Sequence, residues 1–233
     1  MNTDRHLLAI RHESESLASL ADGALETPVP TCPGWTVGGV LSHLAHGFGV
    51  VARIVRDHAD AEVSFEGTPP AGVAAFEEAA AELVEALTNE APDTRAWNWS
   101  RRDETVAWWA RRMAHEAAVH RWDVAAAVGS PSPVEPELAV DGVDELLSVF
   151  LPHTLAERPV DGLAGTFSVE ASDTGDAWFG RLSPEASDVV RGTPAASPDA
   201  RLRGTASDLV LALWGRPAPI AAEGDERIVA LLT

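Results

Sequence analysis

Lysine is absent from this chain: all 17 basic residues are arginine, set against 36 acidic ones. The formal charge of -19 repels a nucleic-acid backbone or an anionic membrane surface as a whole, so neither is expected as a partner. In an Ala-rich sequence the missing lysine reads as compositional bias rather than as a site. Cysteine is nearly absent too, and the one residue present, Cys32, excludes an internal disulfide and fits a reducing compartment. No run reaches the roughly eighteen apolar residues of a membrane span, and the opening segment MNTDRHLLAIRHESES lacks the apolar core of a signal peptide. A cytoplasmic location is expected from these absences.

The chain is long enough, at 233 residues, for two small domains, each with its own core. Periodicity predicts a first helix over Thr3 to Ala21, with Leu7, Ile10, Leu17 and Leu20 buried and with His6 and His12 solvated. The stretch ADGALETPVPTCPGW, dense in Pro and Gly, is a loop. Thr36 is placed to cap a second helix running to about His58, whose stripe of Val40, His43, Gly47, Val50 and Ile54 turns His43 toward the core and leaves His46 at the edge. A third helix is expected over 71–89 and a fourth over 104–128. The Pro- and Ser-rich GSPSPVEPE then marks a boundary, placing one domain at 1–130 and another at 131–233. Beyond it the pattern predicts a helix over 138–150 and strands in LAGTFSVEA, DAWFGRLS, ASDVVRG and DARLRG. A helix opened by Thr205 and Asp208 and a last helix from about Asp225 follow. The expected fold class is a four-helix bundle followed by a small α+β domain.

Chemistry concentrates in ETVAWWARRMAHEAAVHRWDVAAAV. At the helical period Trp109, Met113, Glu116, His120, Asp123 and Ala127 share one stripe, so three polar side chains occupy successive turns of an apolar face. A carboxylate taken from water costs several kcal/mol or more unless something pairs with it. Glu116 and His120, four apart, can grip one cation, and His43 from the second helix can complete the set, as facing helices of bundles do. Such a His-Glu-His set suits zinc with one position open, the catalytic arrangement. Asp123 is placed to accept the other N–H of His120. The plain alternative is a buried Glu-His pair with no ion.

The segments PTCPGWTVGGVLSHLAHG and TVAWWARRMAHEAAVHRWDVAAA resemble the mycothiol-dependent maleylpyruvate isomerase family, whose N-terminal domain is similar to the DinB/YfiT-like metal-binding bundles. The resemblance implies that His43, Glu116 and His120 are zinc ligands. VDGLAGTFSVE and RLRGTASDLVLALWGR are similar to that family's second, sterol-carrier-like α+β domain. Around the motifs, Cys32 reads as structural rather than nucleophilic, Trp35 and Trp122 as packing, and Trp97 and Trp99 as packing near a helix start. His46 and His115 lie at the wrong helical angle. Arg216 either meets a substrate carboxylate from the second domain, which its planar fork matches, or caps its own helix.

The resemblance implies a zinc enzyme that takes mycothiol as thiol cosubstrate and acts on a small electrophile, with Asp123 and Arg216 as the other catalytic candidates. Two other classes are kept open, a metal-dependent hydrolase and a non-catalytic protein that binds metal or an apolar ligand. A monomer or homodimer is expected.

Overall fold

A computed structural model describes residues 1–67, 69, 71–192 and 197–233. The chain divides into two compact units, Met1–Ser132 and Pro133–Thr233. In the first, four helices form a bundle: α1 (Thr3–Ala21), α2 (Val37–Arg56), α3 (Val73–Asn89) and α4 (Val106–Ala127). Helix α2 packs on α3 and α1 on α4, with α1 also against α3 and α2 against α4. The starts of α1, α2 and α4 have a local cause. The side chains of Asn2, Thr36 and Thr105 accept backbone N–H bonds from Arg5, Gly39 and Trp108, satisfying donors that the first turn leaves unpaired. Gly72, at φ +89°, precedes α3 with no side-chain cap.

The core holds Leu17, Leu41, Phe48, Ile54, Phe76, Leu83 and Trp109, all essentially inaccessible. By length and composition α2 alone among the described residues could cross a membrane, a feature that counting uninterrupted apolar runs misses because His43 and His46 break them. Its apolar side is instead buried within the bundle.

Two readings of α1 need correction. His6 is buried at 4% exposure, not solvated, and its ring meets that of His115 edge-on at 6.1 Å. The buried stripe is His6, Ile10, Glu13, Ser14, Leu17 and Ala21, whereas Leu7 and Leu20 sit at its border and Leu8 is exposed. Hydrophobicity mislocates this face because polar residues on it have partners inside. His12 is exposed, as read.

In the second unit, α5 (Pro136–Glu145) continues through a π-helical turn, Leu146–Phe150, into α6 (Leu151–Glu157). The expected helix over 138–150 thus runs on for the 7 residues of α6, about two turns beyond Phe150. The wide turn lies just ahead of Pro152, whose missing N–H cannot serve a regular ladder. A five-stranded sheet follows, in the order β3-β2-β1-β4-β5. Its strands are β1 (Gly165–Ala171), β2 (Ala177–Ser183), β3 (Ala186–Arg191), β4 (Ala200–Gly204) and β5 (Ala221–Gly224). Only the β1–β4 pairing is parallel among the described strands. Helix α7 (Ala206–Leu213), capped by Thr205, lies against β4 and β1, while α8 (Glu226–Leu232), capped by Asp225, lies against β4 and β5.

The alternation in LAGTFSVEA sets Ser168 with Thr166 and Glu170 on the outer face of a half-buried strand; β1 is instead central, and Ser168 is wholly buried with its hydroxyl 3.1 Å from Glu170. Opposite Phe167 the partner in β2 is Gly180, and a Cβ added there would fall onto the Phe167 ring edge. Phe167 is fully buried and has nowhere to move. Gly180→Ala is therefore expected to destabilise the protein by about 1–3 kcal/mol, the usual range for overpacking, seen as a lower midpoint in thermal denaturation.

Candidate metal centre

Two helices meet at the site. Helix α4 is Ala-rich and carries Glu116 and His120 one turn apart, so their side chains rise from the same face. Helix α2 brings His43 alongside. The ligand atoms of His43, Glu116 and His120 all lie within 4.8 Å of one another. Glu116 Oε2 is 3.9 Å from His43 Nε2 and 3.6 Å from His120 Nε2, and the two imidazoles stand edge to face with centroids 5.2 Å apart. Tetrahedral zinc with ligands at about 2.0–2.2 Å spaces its donors by roughly 3.3–3.6 Å, so a small closure fits these groups to such an ion.

His43 does not point into the core as its stripe predicted. Its side chain is 47% exposed, against 10% for His120, so the cluster opens at the surface of the bundle instead of being sealed within it. Packing explains the difference: Val40, Val50 and Ile54 take the buried side of α2, and His43 stands at the rim of that face. An open rim is what an exchangeable ligand needs.

A residue that the helical stripe did not single out completes the electrostatics. Arg112, one turn before Glu116, is buried with 3% of its side chain exposed, and its Nη2 donates to Glu116 Oε1 at 3.0 Å. The carboxylate is thereby divided, with one oxygen held by the guanidinium and the other turned to both imidazoles. Burial pushes the Glu116 carboxyl up, but Arg112 beside it and the His43 and His120 imidazoles together hold it well below the usual carboxylate range. Glu116 is therefore ionised, the form a cation requires. An i,i+4 Arg-Glu spacing was the available signal for Arg112, but on an isolated helix such a pair reads as a solvated surface pair.

Behind His120, its Nδ1 lies 3.0 Å from Asp123 Oδ2, and Asp123 is wholly buried. Thr31 Oγ1 donates to Asp123 Oδ1 at 2.7 Å, and Cys32 Sγ lies 3.4 Å from Oδ2.

Profiles of known families cover most of the chain. That of the mycothiol maleylpyruvate isomerase N-terminal domain matches residues 7–125, and that of the corresponding C-terminal domain matches residues 137–230. The chain belongs to the mycothiol maleylpyruvate isomerase family. Two crystal structures of the mycothiol-dependent maleylpyruvate isomerase are similar to it, one of them of a histidine-to-alanine mutant. Each has a TM-score of 0.64 and aligns over 96% of this chain and 93% of its own, at 13% identity for the first and 11% for the mutant. Likeness at that identity shows the shared fold. No curated protein matches the chain in sequence.

In this maleylpyruvate isomerase family chain the other residues singled out by sequence fall in different places. Trp35 is not simply a packing residue, being 37% exposed with its ring 5.0 Å from that of His43 and stacked at 6.4 Å on that of His120. It forms a wall of the cluster. His46 turns elsewhere, with its Nε2 2.7 Å from the Phe65 carbonyl oxygen. His115 is buried against His6. Trp97 is buried, and its carbonyl accepts the indole N–H of Trp109 at 2.7 Å, whereas Trp99 packs edge-on against Trp108. Trp122 is only partly buried. In the second unit Arg216 Nη1 donates to the carbonyl of Trp214, the residue that follows α7 as its C-cap, so one arm of its fork caps its own helix.

Proposed function

We propose that this chain is a divalent-metal enzyme, zinc by its donor set, that uses a low-molecular-weight thiol, mycothiol, to isomerise or S-conjugate a small electrophile. In this reading His43, Glu116 and His120 are the ligands, the bundle is a DinB-like metal-binding domain, and the C-terminal unit is a sterol-carrier-like domain. The observation that carries it is the division of Glu116, with Oε1 neutralised by Arg112 and Oε2 facing two imidazoles at a half-open rim. A purely structural ion pair has no need of the second and third basic groups.

Bound there, a divalent ion supplies a Lewis acid with an open position that lowers the pKa of a thiol, so that the reactive thiolate is populated at neutral pH. Arg112 holds the Glu116 carboxylate in one orientation, and Asp123 does the same for the His120 ring. Trp35 offers an apolar wall beside the imidazoles against which a planar unsaturated substrate can lie. The thiol sulfur forms a C–S bond to one end of an activated double bond, the former double bond rotates as a single bond, and loss of the thiol restores the double bond in the other geometry. Where the C–S bond persists after protonation, the product is the S-conjugate. A cytoplasmic location accords with the scheme because the thiol must stay reduced.

The test is metal analysis of protein purified without an affinity tag, followed by turnover of maleylpyruvate and of simple electrophiles with and without mycothiol. A stoichiometric divalent ion and strictly thiol-dependent turnover are expected. Turnover without thiol points instead to a hydrolase, and a metal-free protein without turnover to a binding role.

A further inference from the structure

The loop ahead of α2 is built from two consecutive proline turns. Cys32 N–H donates to the Val29 carbonyl at 3.0 Å with Pro30 between them, and Trp35 N–H donates to the Cys32 carbonyl at 2.9 Å across Pro33 and Gly34. Gly34 sits at φ +84°, the third position of a type II turn, where residues with a Cβ are strained. Val29 N–H to the Trp35 carbonyl, at 2.9 Å, and the Pro28–Thr36 bridge close the loop. So short a closed loop has little freedom, and it delivers Thr31 and Cys32 to a carboxylate some ninety residues further along the chain.

That carboxylate is wholly buried, and an ionised carboxylate only accepts. The Thr31 hydroxyl donates to one oxygen at 2.7 Å, whereas the Cys32 thiol and His120 Nδ1 converge on the other at 3.4 and 3.0 Å. For His120 to donate there its proton must be on Nδ1, which leaves the lone pair on Nε2, the nitrogen 3.6 Å from Glu116 Oε2. The Cys32 thiol is aimed at the same oxygen as His120 Nδ1 and serves there as a second, weaker donor.

We propose that Thr31 and Cys32 are positioning residues which, by holding Asp123 from both sides, fix the Nδ1–H tautomer of His120 and aim Nε2 at the ion. The proposal rests on the metal reading of the three-residue cluster. Partners beyond a metal's own ligands commonly change affinity 10- to 100-fold, and these act one bond further out, so their effect falls at the low end of that range.

Two readouts test this, zinc affinity by competition with a chromogenic chelator and the His120 tautomer by long-range 1H–15N correlation in the metal-free protein. Thr31→Val, which keeps the shape and removes the donor, is expected to weaken zinc about tenfold and to mix the tautomers, with Cys32→Ala weaker in effect because S–H is a poor donor. Thr31→Ser is expected to restore both, and Thr31→Val is expected to cost nothing further in an Asp123→Asn background, as for residues that act in series. Zinc affinity and tautomer unchanged in Thr31→Val, or Thr31→Ser as defective as Thr31→Val, overturns the proposal. A wild-type protein that binds no zinc refutes the metal reading instead, and the tautomer in Thr31→Val against wild type then decides the role of the loop.

Discussion

Replacing His43 or His120 by alanine is expected, on the proposed metal reading, to abolish binding of a divalent ion and thiol-dependent turnover, with zinc affinity falling at least about a hundredfold, beyond what loss of a supporting group costs. The two variants differ in what else they disturb. His43 is half-exposed and meets Trp35 and Glu116, so His43→Ala removes the proposed ligand at little cost to packing. His120 is nearly buried and partners the wholly buried Asp123, so His120→Ala adds the penalty of a weakened buried polar group, on the order of 1–3 kcal/mol. Added zinc is expected to raise the thermal midpoint of the wild type and to leave that of His43→Ala unmoved, because an ion stabilises only the state that binds it. Zinc stoichiometry by mass spectrometry and thermal scans with and without chelator check both statements. Retention of a full equivalent of zinc by His43→Ala removes that residue from the ligand set.

Glu13→Ala is expected to be the most destabilising single substitution among those considered. Glu13 and Arg121 join α1 to α4 with Nε to Oε2 at 2.6 Å, and their side chains are only 4% and 6% exposed. The same guanidinium donates from Nη1 to the Ser132 carbonyl and hydroxyl at 2.7 and 2.8 Å. Removing the carboxylate breaks a buried ion pair and takes a short charge-assisted hydrogen bond from the guanidinium, which costs about 3–5 kcal/mol, a large share of the roughly 5–15 kcal/mol that holds a typical domain. For a unit of this size the midpoint is expected to fall by on the order of 10–20 °C. Glu13→Gln keeps the volume and an acceptor and is expected to lose less. Zinc bound per folded molecule is expected to stay constant in both, since the pair belongs to the α1–α4 seam and not to the ligand cluster. A midpoint for Glu13→Ala within a few degrees of wild type would show that water reaches Arg121 freely.

Where the chain carries a local signal, sequence and structure agree closely. Thr36, Thr205 and Asp225 cap helices because a short polar side chain beside a helical pattern satisfies the first turn wherever the helix later packs. The disagreements all involve residues whose environment comes from elsewhere. The polarity of its imidazole puts His6 on the solvent side of α1, yet it is buried beside His115. Strand β5, whose AAEG has neither alternation nor β-branching and is fully exposed, exists only through its pairing with β4. Arg112 carries no local sign of burial, because an Arg on an Ala-rich helix ordinarily lies in solvent, and only packing turns it inward.

From sequence alone came the helices and their starts, the bundle followed by a mixed α and β segment, and the one-turn spacing of Glu116 and His120. Tertiary packing alone decided that His43 stands at an open rim, that Arg112 turns inward to share Glu116, and that a proline-turned loop reaches Asp123 from 92 residues away. The reason is one of range. Caps and helical spacing are set within a turn or two of backbone and survive any arrangement of neighbours, whereas burial and contact across the bundle depend on how whole helices meet, and no short stretch of chain encodes that.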